Sequence, residues 1–466
     1  MIPVTVEEIA KAVGAEVLCR GDGRSRRISR VSTDTRTLRK GELFFALRGE
    51  RHDAHDFLHQ ALEKGAAALV VSRADPGILR SAEAVGAAVL RVRNTLSALA
   101  RLAGSQRGML GCVVVGITGS TGKTITKDFT ASVLARAGEV VSPTGSYNNE
   151  IGVPLTILRA GPKTRFLVLE MGARGRGHIR ELCAFSRPRI GVVTNIGYAH
   201  LRWFRTRERL AESKGELLQA LPPDGTAVLN ADDEFAPFLR KLAPCAVVRF
   251  GTGKGAEVRA ERISLDDRGR AEFLLRLKGG GKCEVRLPLP GRHNVENALA
   301  AAAVGEILGI SVEGIVEGLQ EAKVTGWRME MITRPDQITI INDAYNANPV
   351  SMRSALMALG DLAKGKRAIA VLGDMAELGP VSDRAHLEVG RMAVEYGADI
   401  LITVGRKARK IAQAAREKGL PRGSVFSVER VDRAAEILRA IIEPGDVVLI
   451  KGSRFLGLER LVDLVA

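Results

Sequence analysis

The sequence predicts an α/β protein of three domains, and three observations carry that prediction. Short apolar, β-branched runs alternate with helical patterns along most of the chain, which is typical of βαβ units and a mostly parallel sheet. The alternation is interrupted between residues 256 and 287, where polar and apolar residues alternate as in a small antiparallel insertion. The length of 466 residues corresponds to about three domains.

The first predicted domain, residues 1–107, is a small α/β unit. It has a short helix pattern over 5–13, an amphipathic helix over 55–64, and strand patterns over 28–33, 43–47 and 67–72.

The second and third predicted domains, residues 108–325 and 326–466, each repeat a strand–helix rhythm. In the second, a strand at 112–116 leads through a Gly/Ser/Thr loop to a helix over 124–137, and a long alanine-rich helix covers 293–308. We expect a central P-loop domain with a parallel sheet, resembling an ATPase, and a C-terminal Rossmann-like domain. Further strands are predicted at 166–169, 190–194, 227–229, 338–341, 368–372, 400–404 and 447–450.

The net charge of +16, from 69 basic and 53 acidic residues, is the unusual feature of the composition. Such a balance first points to a nucleic-acid-binding protein. Aromatic residues make up only 4%, however, which leaves little material for base stacking. The excess is spread over all three predicted domains, and an anionic small substrate explains a basic middle domain equally well.

The remaining composition favours a cytoplasmic protein. The five cysteines are scattered and form no CxxC pair, which is typical of isolated thiols in a reducing compartment. No apolar run is long enough for a transmembrane helix, and the N-terminal residues do not resemble a secretory signal.

A glycine-rich loop between a strand and a helix is the first motif that carries chemistry. Its pattern is GxxGK[ST], with a glycine one position out of register for the strict GxxxxGK[ST] motif. Backbone N–H groups at the start of such a helix bind phosphate oxygens, and Lys123 would reach the outer phosphates. The alternative is an ordinary glycine-rich turn. The predicted nucleotide-binding residues here are Thr118, Gly119, Ser120, Thr121, Gly122, Lys123 and Thr124.

Polar side chains follow several other predicted strands and helix starts. Glu170 ends one strand and His200 follows another, so both belong to the ligand edge of a parallel sheet, where a carboxylate could hold Mg²⁺. A lone histidine is also common as a surface or core residue. Asn294 and Asn297 share a helix face and could read an adenine edge, although Asn294 could instead cap the helix.

Together these motifs resemble the Mur ligase family, the ATP-dependent amide ligases of peptidoglycan precursor synthesis. The resemblance covers nearly the whole chain and rests on segments from all three predicted domains. These segments are STDTR at 32–36, GELFFALRGE at 41–50, GSTGKT at 119–124, YNNEIGVP at 147–154, EMGA at 170–173, TNIGYAH at 194–200, HNVEN at 293–297, NDAYNANP at 342–349, GDMAELG at 373–379 and KGSR at 451–454.

The resemblance implies a reaction and its partners. ATP would phosphorylate the terminal carboxylate of UDP-MurNAc-tripeptide, and the amine of D-Ala-D-Ala would attack the acyl phosphate to give UDP-MurNAc-pentapeptide, ADP and phosphate. The first domain would bind the UDP-sugar peptide, the second ATP, and the third the incoming amino component. Mg²⁺ is implied, nucleic acid is not, and a monomer is the default expectation. The sequence leaves open whether the tripeptide ends in meso-diaminopimelate or lysine.

The resemblance also assigns residues. Thr124, Glu170 and His200 match magnesium-linked positions, and Lys214 matches a lysine carried as a carbamate, which could bind a second Mg²⁺. Without the resemblance, Lys214 would be read as a solvated helix lysine. Lys123, Glu170, His200, Lys214 and Arg328 are the expected catalytic residues, and Asn294, Asn297, Arg328 and Asp343 the further ATP contacts. The expected substrate-binding residues are Ser32, Thr33, Asp34, Thr35, Arg36, Asn148, Asn149, Tyr345, Asn346 and Asn348.

Three departures from the family pattern put local loop geometry in question. Arg205 stands where a glycine is usual, Asn342 replaces an acid often seen before Asp343, and Trp327 precedes Arg328 where smaller residues are common. We therefore expect the loop after His200 to be the place where a different turn could occur.

Three alternatives remain. A sister ligase that adds the third peptide residue would carry DYAHxP in place of residues 343–349 and often a DNPR loop, and neither is present. Folylpolyglutamate synthase shares the ATP core but usually lacks such a first domain. A nucleic-acid-binding P-loop ATPase would use the positive charge, but the sequence offers no convincing Walker B acid pair.

Overall fold

The structure, a computed structural model, describes residues 1–21, 27–49, 52–197 and 201–465. It confirms the α/β class with three sheets, of five, nine and six strands in chain order. The residues pack as two compact units, one formed by Met1–Gly116, Gly138–Gly172 and Ile179–Arg189 and the other by Ile117–Ala137, Ala173–His178 and Ile190–Ala466. Domain boundaries at 107/108 and 325/326 stay a prediction.

The first sheet is mainly parallel, with one antiparallel edge strand. The strands are β1 (Glu16–Cys19), β2 (Val31–Ser32), β3 (Leu43–Phe45), β4 (Ala68–Val71) and β5 (Ala88–Arg91), in the order β1-β5-β4-β3-β2 with β1 antiparallel. β2 is shorter than predicted because Ile28 forms an isolated bridge with Val4 instead. The helices are α1 (Val6–Val13), α2 (Leu58–Glu63, preceded by a 3₁₀ turn at Ala54–Phe57), α3 (Pro76–Ala84) and α4 (Thr95–Met109).

The second sheet has nine strands, and the segment predicted as a separate insertion extends it. The strands are β6 (Val113–Thr118), β7 (Glu139–Val141), β8 (Thr164–Glu170), β9 (Ile190–Val193), β10 (Thr226–Asn230), β11 (Ala246–Gly251), β12 (Val258–Leu265), β13 (Arg270–Arg276) and β14 (Lys282–Pro290). Their order is β14-β13-β12-β11-β10-β9-β6-β8-β7. β12 to β14 are antiparallel hairpins, as predicted, but β12 joins β11 in parallel register. The insertion is therefore a continuation of the sheet.

Helices of the same region flank these strands. The alanine-rich helix is fully buried along most of its length because alanine side chains allow close packing. It contacts the helix that begins at the glycine-rich loop. The helices are α5 (Lys123–Leu134), α6 (Gly152–Ile157), α7 (His178–Ser186), α8 (Leu201–Phe204), α9 (Arg207–Gln219), α10 (Ala236–Leu242), α11 (Asn294–Ile307) and α12 (Val312–Gln320).

The third sheet has six strands. Its two edge strands were not predicted, and one of them is antiparallel to its neighbour. The strands are β15 (Glu330–Thr333), β16 (Thr339–Asp343), β17 (Ala368–Gly373), β18 (Ile400–Val404), β19 (Val425–Val428) and β20 (Val447–Lys451), in the order β15-β16-β20-β17-β18-β19. Buried aliphatic clusters cover both faces, as a parallel sheet requires. The helices are α13 (Pro349–Leu362), α14 (Ser382–Glu395), α15 (Arg409–Glu417), α16 (Val431–Ile441) and α17 (Glu459–Val465).

The fold places the predicted site residues at the carboxyl ends of strands. Thr118 ends β6, Glu170 ends β8 and Asp343 ends β16. Ligands of open α/β sheets bind beyond this edge. Among the described residues, none of the helices is long and apolar enough to cross a membrane.

Candidate active site

The loop between β6 and α5 can be built only with glycine at two positions. Gly119 and Gly122 have φ of +145° and +76°. A Cβ at Gly119 would lie 1.9 Å from Thr194 Oγ1, and one at Gly122 would lie 2.2 Å from Asn297 Oδ1. Both distances are far below van der Waals contact, so the two glycines let the loop approach its neighbours closely. This geometry confirms that the strand–loop–helix context predicted for a phosphate loop is present.

Residues directly after β9 hold the loop in shape. Asn195 Oδ1 accepts hydrogen bonds from both the backbone N–H and the hydroxyl of Thr121, at 3.0 Å each. Thr194 Oγ1 donates to the Thr121 carbonyl at 2.6 Å. Asn195 and Thr194 were not singled out as individual site residues. Their position immediately after a buried strand is the signal that could have identified them.

The start of α5 suits an anion. Gly122 occupies the N-cap position in a left-handed conformation, and no side chain among the described residues caps this helix end. The start of a helix, with its first N–H groups and the positive end of its dipole, favours phosphate oxygens. Lys123 Nζ lies over the loop and donates to the carbonyls of Gly119 and Ser120, at 2.8 and 3.3 Å. The loop and Lys123 therefore fit the phosphates of a nucleoside triphosphate.

Asn294 and Asn297 lie in the first turn of α11, and Asn297 packs against the phosphate loop. Asn294 has no exposed surface, and its Nδ2 donates to the Pro290 carbonyl at 2.7 Å. Its Oδ1 accepts from Asn297 Nδ2 at 3.1 Å, while Asn297 Oδ1 accepts from the Thr126 hydroxyl at 3.2 Å. His293, not Asn294, is the N-cap residue of α11, so the capping interpretation of Asn294 is wrong. Asn294 orients Asn297, and an adenine contact by the pair stays a prediction.

Glu170 is buried and held by one of the predicted asparagines. It is 1% exposed, and its Oε1 accepts a hydrogen bond from Asn148 Nδ2 at 2.7 Å. The Asn148 carbonyl in turn accepts from the Gly172 N–H at 2.8 Å. Asn149 Oδ1 accepts from the Gly152 N–H at 2.9 Å, at the start of α6, so its side chain oxygen has a structural use.

Among the described residues, the predicted magnesium ligands suit a site that water and substrate oxygens complete. Within the described ranges, no three His, Cys, Asp or Glu side chains cluster closely enough to bind a metal ion. Mg²⁺ commonly uses one or two carboxylates and completes its octahedron with water and substrate phosphates. The buried Glu170 carboxylate is a ligand of the type that this mode uses. The Thr124 hydroxyl, in the first turn of α5, is 2% exposed.

Lys214 lies in α9 with a fully buried side chain, so the interpretation as a solvated helix lysine is wrong. Its helix packs against the segment at 173–178. Glu216 Oε1 accepts a hydrogen bond from the Gly177 N–H at 2.6 Å, and the Ser213 hydroxyl donates to the Gly175 carbonyl at 3.4 Å. Burial of an ammonium group is costly, and a buried lysine is therefore a candidate for chemical use.

Arg328 lies against an aromatic ring in the C-terminal region. Its guanidinium carbon is 4.1 Å from the centre of the Tyr345 ring, and that of Arg454 is 4.2 Å from the Trp327 ring. Trp327 and Met329, on either side of Arg328, have φ of +62° and +55°. The left-handed conformation explains why smaller residues are usual at Trp327, and the stacked arginines stabilise it here.

The predicted substrate residues near β16 have different surroundings. Asp343 Oδ2 accepts a hydrogen bond from Lys451 Nζ at 2.5 Å, and the Asn346 side chain is exposed. Asn348 is the N-cap of α13, where its Oδ1 accepts from the Ser351 N–H at 3.0 Å. Capping is thus a structural role of Asn348 that the sequence analysis did not assign.

The predicted loop of the first domain forms a tight polar turn. The Arg36 guanidinium hydrogen-bonds the Asp34 carboxylate at 2.7 Å and holds the pKa of that carboxyl below its usual value. The Arg36 side chain is 87% exposed and can reach a ligand anion. The Thr35 hydroxyl donates to Gln60 Oε1 at 2.6 Å, and Ser32 Oγ donates to the Asp34 carbonyl at 3.0 Å. Among the described residues, no hydrogen bond of the Thr33 side chain bears on its predicted role in substrate binding.

His200 lies outside the described residues. The chain that leads to it is held at Ile196, whose N–H donates to Asp233 at 2.6 Å and whose carbonyl accepts from Arg207 at 2.8 Å. Beyond it, Arg205 has φ of +65°, the left-handed conformation that glycine favours. Arg205 thus keeps the turn that the usual glycine would make.

Comparison with known proteins agrees with this geometry. Three family profiles match in order: "Mur ligase family, catalytic domain" over 27–107, "Mur ligase middle domain" over 117–305 and "Mur ligase, glutamate ligase domain" over 327–454. A similar protein is the UDP-N-acetylmuramoyl-tripeptide–D-alanyl-D-alanine ligase of Mycobacterium tuberculosis. Over an alignment of 506 positions the two are 41% identical, and the alignment covers 99% of this chain and 98% of that protein.

Solved structures give the same result. A crystal structure of MurF from Acinetobacter baumannii matches with a TM-score of 0.86 at 32% identity, covering 99% of this chain and 98% of that one. The MurF ligase of Thermotoga maritima in complex with ADP matches with a TM-score of 0.78 at 28% identity, covering 93% and 96%.

Proposed function

Because the chain belongs to the Mur ligase family, we propose that it joins D-Ala-D-Ala to UDP-MurNAc-tripeptide at the expense of ATP. The γ-phosphoryl group passes from ATP to the terminal carboxylate of the tripeptide and leaves ADP. The amine nitrogen of D-Ala-D-Ala then attacks the acyl carbon, the C–O bond to phosphate breaks, and the amine loses a proton. The products are UDP-MurNAc-pentapeptide, ADP and phosphate.

The observation that carries the proposal is the phosphate loop, whose conformation requires glycine at two positions. It occurs in a chain that aligns over 99% of its length with a UDP-N-acetylmuramoyl-tripeptide–D-alanyl-D-alanine ligase. The loop supplies fixed N–H donors and the Lys123 ammonium. A loose phosphoryl-transfer transition state needs preorganised positive charge more than it needs a base. The contacts of Asn195 and Thr194 with Thr121, and the packing of Asn297 against Gly122, fix the loop in place before the substrate binds.

The remaining roles follow the family pattern. ATP is the nucleotide, with Asn297, Arg328 and Asp343 as its further contacts. The exposed Arg36 is the cation for the UDP pyrophosphate, and Tyr345 and Asn346 face the dipeptide. The substrates are small molecules, and the proposal places the enzyme in the cytoplasm as a monomer without a nucleic-acid partner.

Magnesium and the buried lysine belong to the same proposal. Thr124, Glu170 and His200 would hold Mg²⁺, which when bound neutralises phosphate charge. Lys214 would act as a carbamate, which converts a buried cation into an anion. Its full burial supports this role, since a buried lysine is exposed to a strong desolvation cost and is therefore easily converted to another charge state.

A ligation assay tests the proposal. The purified protein is incubated with ATP, D-Ala-D-Ala and UDP-MurNAc-tripeptide that ends in either meso-diaminopimelate or lysine, and the product is identified by mass spectrometry. We expect UDP-MurNAc-pentapeptide from at least one tripeptide. A parallel reaction contains UDP-MurNAc-dipeptide and a single amino acid, and ligation only there would instead support the sister ligase. No product in either reaction would contradict the proposal.

A further inference from the structure

Lys451 is a buried lysine to which the proposed mechanism gives no task. Its side chain is 2% exposed and lies at the end of β20. The ammonium group donates to Asp343 Oδ2 at 2.5 Å and to the Asn346 carbonyl at 2.9 Å. One cation therefore contacts both the carboxylate expected to bind ATP and the backbone of the loop expected to bind the dipeptide.

The sheet register explains why one ammonium group can reach both. Asp343 and Lys451 are direct partners on the adjacent parallel strands β16 and β20, so their side chains leave the sheet at the same edge. The chain then turns through residues 344–347 to α13. Because Asn348 caps that helix, the Asn346 carbonyl is the middle of a short segment fixed at both ends. The ammonium group holds that middle.

The electrostatic surroundings of His293 show that the pair lies near the start of α11. Burial lowers the pKa of the His293 imidazole to about 4, and the charges of Asp343 and Lys451 act on the same ring in opposite directions. His293 is the N-cap of α11 and precedes the Asn294 and Asn297 pair. Asp343 and Lys451 are thus close enough to the start of α11 for their charges to act on its N-cap residue.

Building on the proposed function, we infer that Lys451 is a positioning residue that couples the nucleotide contact Asp343 to the dipeptide loop at Asn346. It touches neither substrate. Without the ammonium group, Asp343 becomes a carboxylate without its cation, and the Asn346 carbonyl loses its donor. Both substrates should then bind less well, although they bind to different residues.

Lys451→Met tests this coupling, with Lys410→Met as the matched control. Lys410 also pairs with one carboxylate, that of Asp383 at 2.6 Å, but at the surface of the same region. We expect the KM for D-Ala-D-Ala and the KM for ATP to rise about tenfold each in Lys451→Met, the equivalent of one lost charge-assisted hydrogen bond. Lys410→Met should leave both KM values unchanged. If both KM values were unchanged in folded Lys451→Met, the inference would be wrong.

A second variant separates positioning from stability. Asp343→Asn/Lys451→Met carries no unbalanced charge and is compared with Asp343→Asn alone. We expect the double variant to unfold at the same or a higher temperature, because Asp343→Asn alone leaves the buried Lys451 ammonium without its carboxylate. Its dipeptide KM should nevertheless be about tenfold higher, because only there is the Asn346 carbonyl without its donor. Equal dipeptide KM values in the two variants would overturn the inference. Failure of the wild-type enzyme to ligate any substrate would instead refute the proposed function.

Discussion

Asn297 Oδ1 occupies the space where a Cβ on Gly122 would stand, at a distance of 2.2 Å. The relationship links α11 to the start of α5 and leaves the loop no room for any side chain. Gly122→Ala should therefore displace either the loop or Asn297, and ATP turnover should fall about 10²-fold or more because the phosphate donors lose their alignment. ADP formation under saturating acceptor substrates measures the effect.

Gly280→Ala is the control for Gly122→Ala. Gly280 also has a left-handed φ, of +91°, but a Cβ there would meet nothing within 4 Å. It carries the same backbone strain without the contact, so we expect nearly wild-type turnover. Equal losses of turnover in the two variants would show that backbone strain, and not the steric contact with Asn297, causes the effect.

Lys123→Ala should lower turnover on the order of 10²-fold or more because the outer phosphates lose a fixed cation. The unfolding temperature should change little, since the Lys123 ammonium donates to two carbonyls of its own loop. Steady-state phosphate release and a thermal melt check both statements, with the exposed Lys418→Ala as control. Wild-type turnover in folded Lys123→Ala would contradict the role of the loop.

Lys214→Met should lose most activity while it keeps the fold, because methionine fills the buried volume without a charge. Carbon-13-labelled bicarbonate should give a carbamate resonance in the wild type and in the exposed control Lys241→Met, but not in Lys214→Met. Short-chain acids should rescue activity in part or not at all, depending on their access to the site. Full activity of Lys214→Met, or an identical spectrum, would refute the carbamate.

His386 should make stability depend on pH. Its ring is buried, Nε2 accepts from the Met375 N–H at 3.0 Å, and Nδ1 lies 2.7 Å from the Ser382 carbonyl. Burial lowers the pKa of this imidazole below its ordinary value of 6.5. The unfolded chain therefore takes up the proton first, and the stability that is complete above about pH 6.5 decreases as the pH falls toward the folded pKa.

Thermal unfolding between pH 8 and pH 5 measures this effect, at about one-half pH intervals spanning the ordinary histidine pKa. The unfolding temperature of the wild type should fall more steeply on acidification than that of His386→Gln. His59→Gln, which removes an exposed imidazole, should behave as the wild type does. Parallel curves for wild type and His386→Gln would exclude His386 as the source.

Local patterns predicted the phosphate loop and the strand ends well because their signals lie within a few consecutive residues. The family could be predicted for the same reason, because its motifs are short and follow one another in a fixed order. The matches to the three family profiles confirm it. Asn195 and Lys451 were not assigned roles because their contacts join segments far apart in sequence. The burial of Lys214 was also hidden, since a charged residue in a polar helix normally faces water.

Pairing between distant strands accounts for the remaining differences. The alternation at 258–290 predicts antiparallel strands but not their attachment to β11, which depends on the parallel register of Phe250 with Val258. The antiparallel edge strand β15 was missed because it has four residues, of which two are half-buried and two exposed, and these give a weak pattern.

Phosphate release from ATP tests the central claim most directly. The protein is assayed with ATP alone, with each acceptor separately, with both, and with DNA or RNA. We predict release that requires UDP-MurNAc-tripeptide and D-Ala-D-Ala together. Release stimulated by nucleic acid, with no response to the dipeptide, would contradict the account.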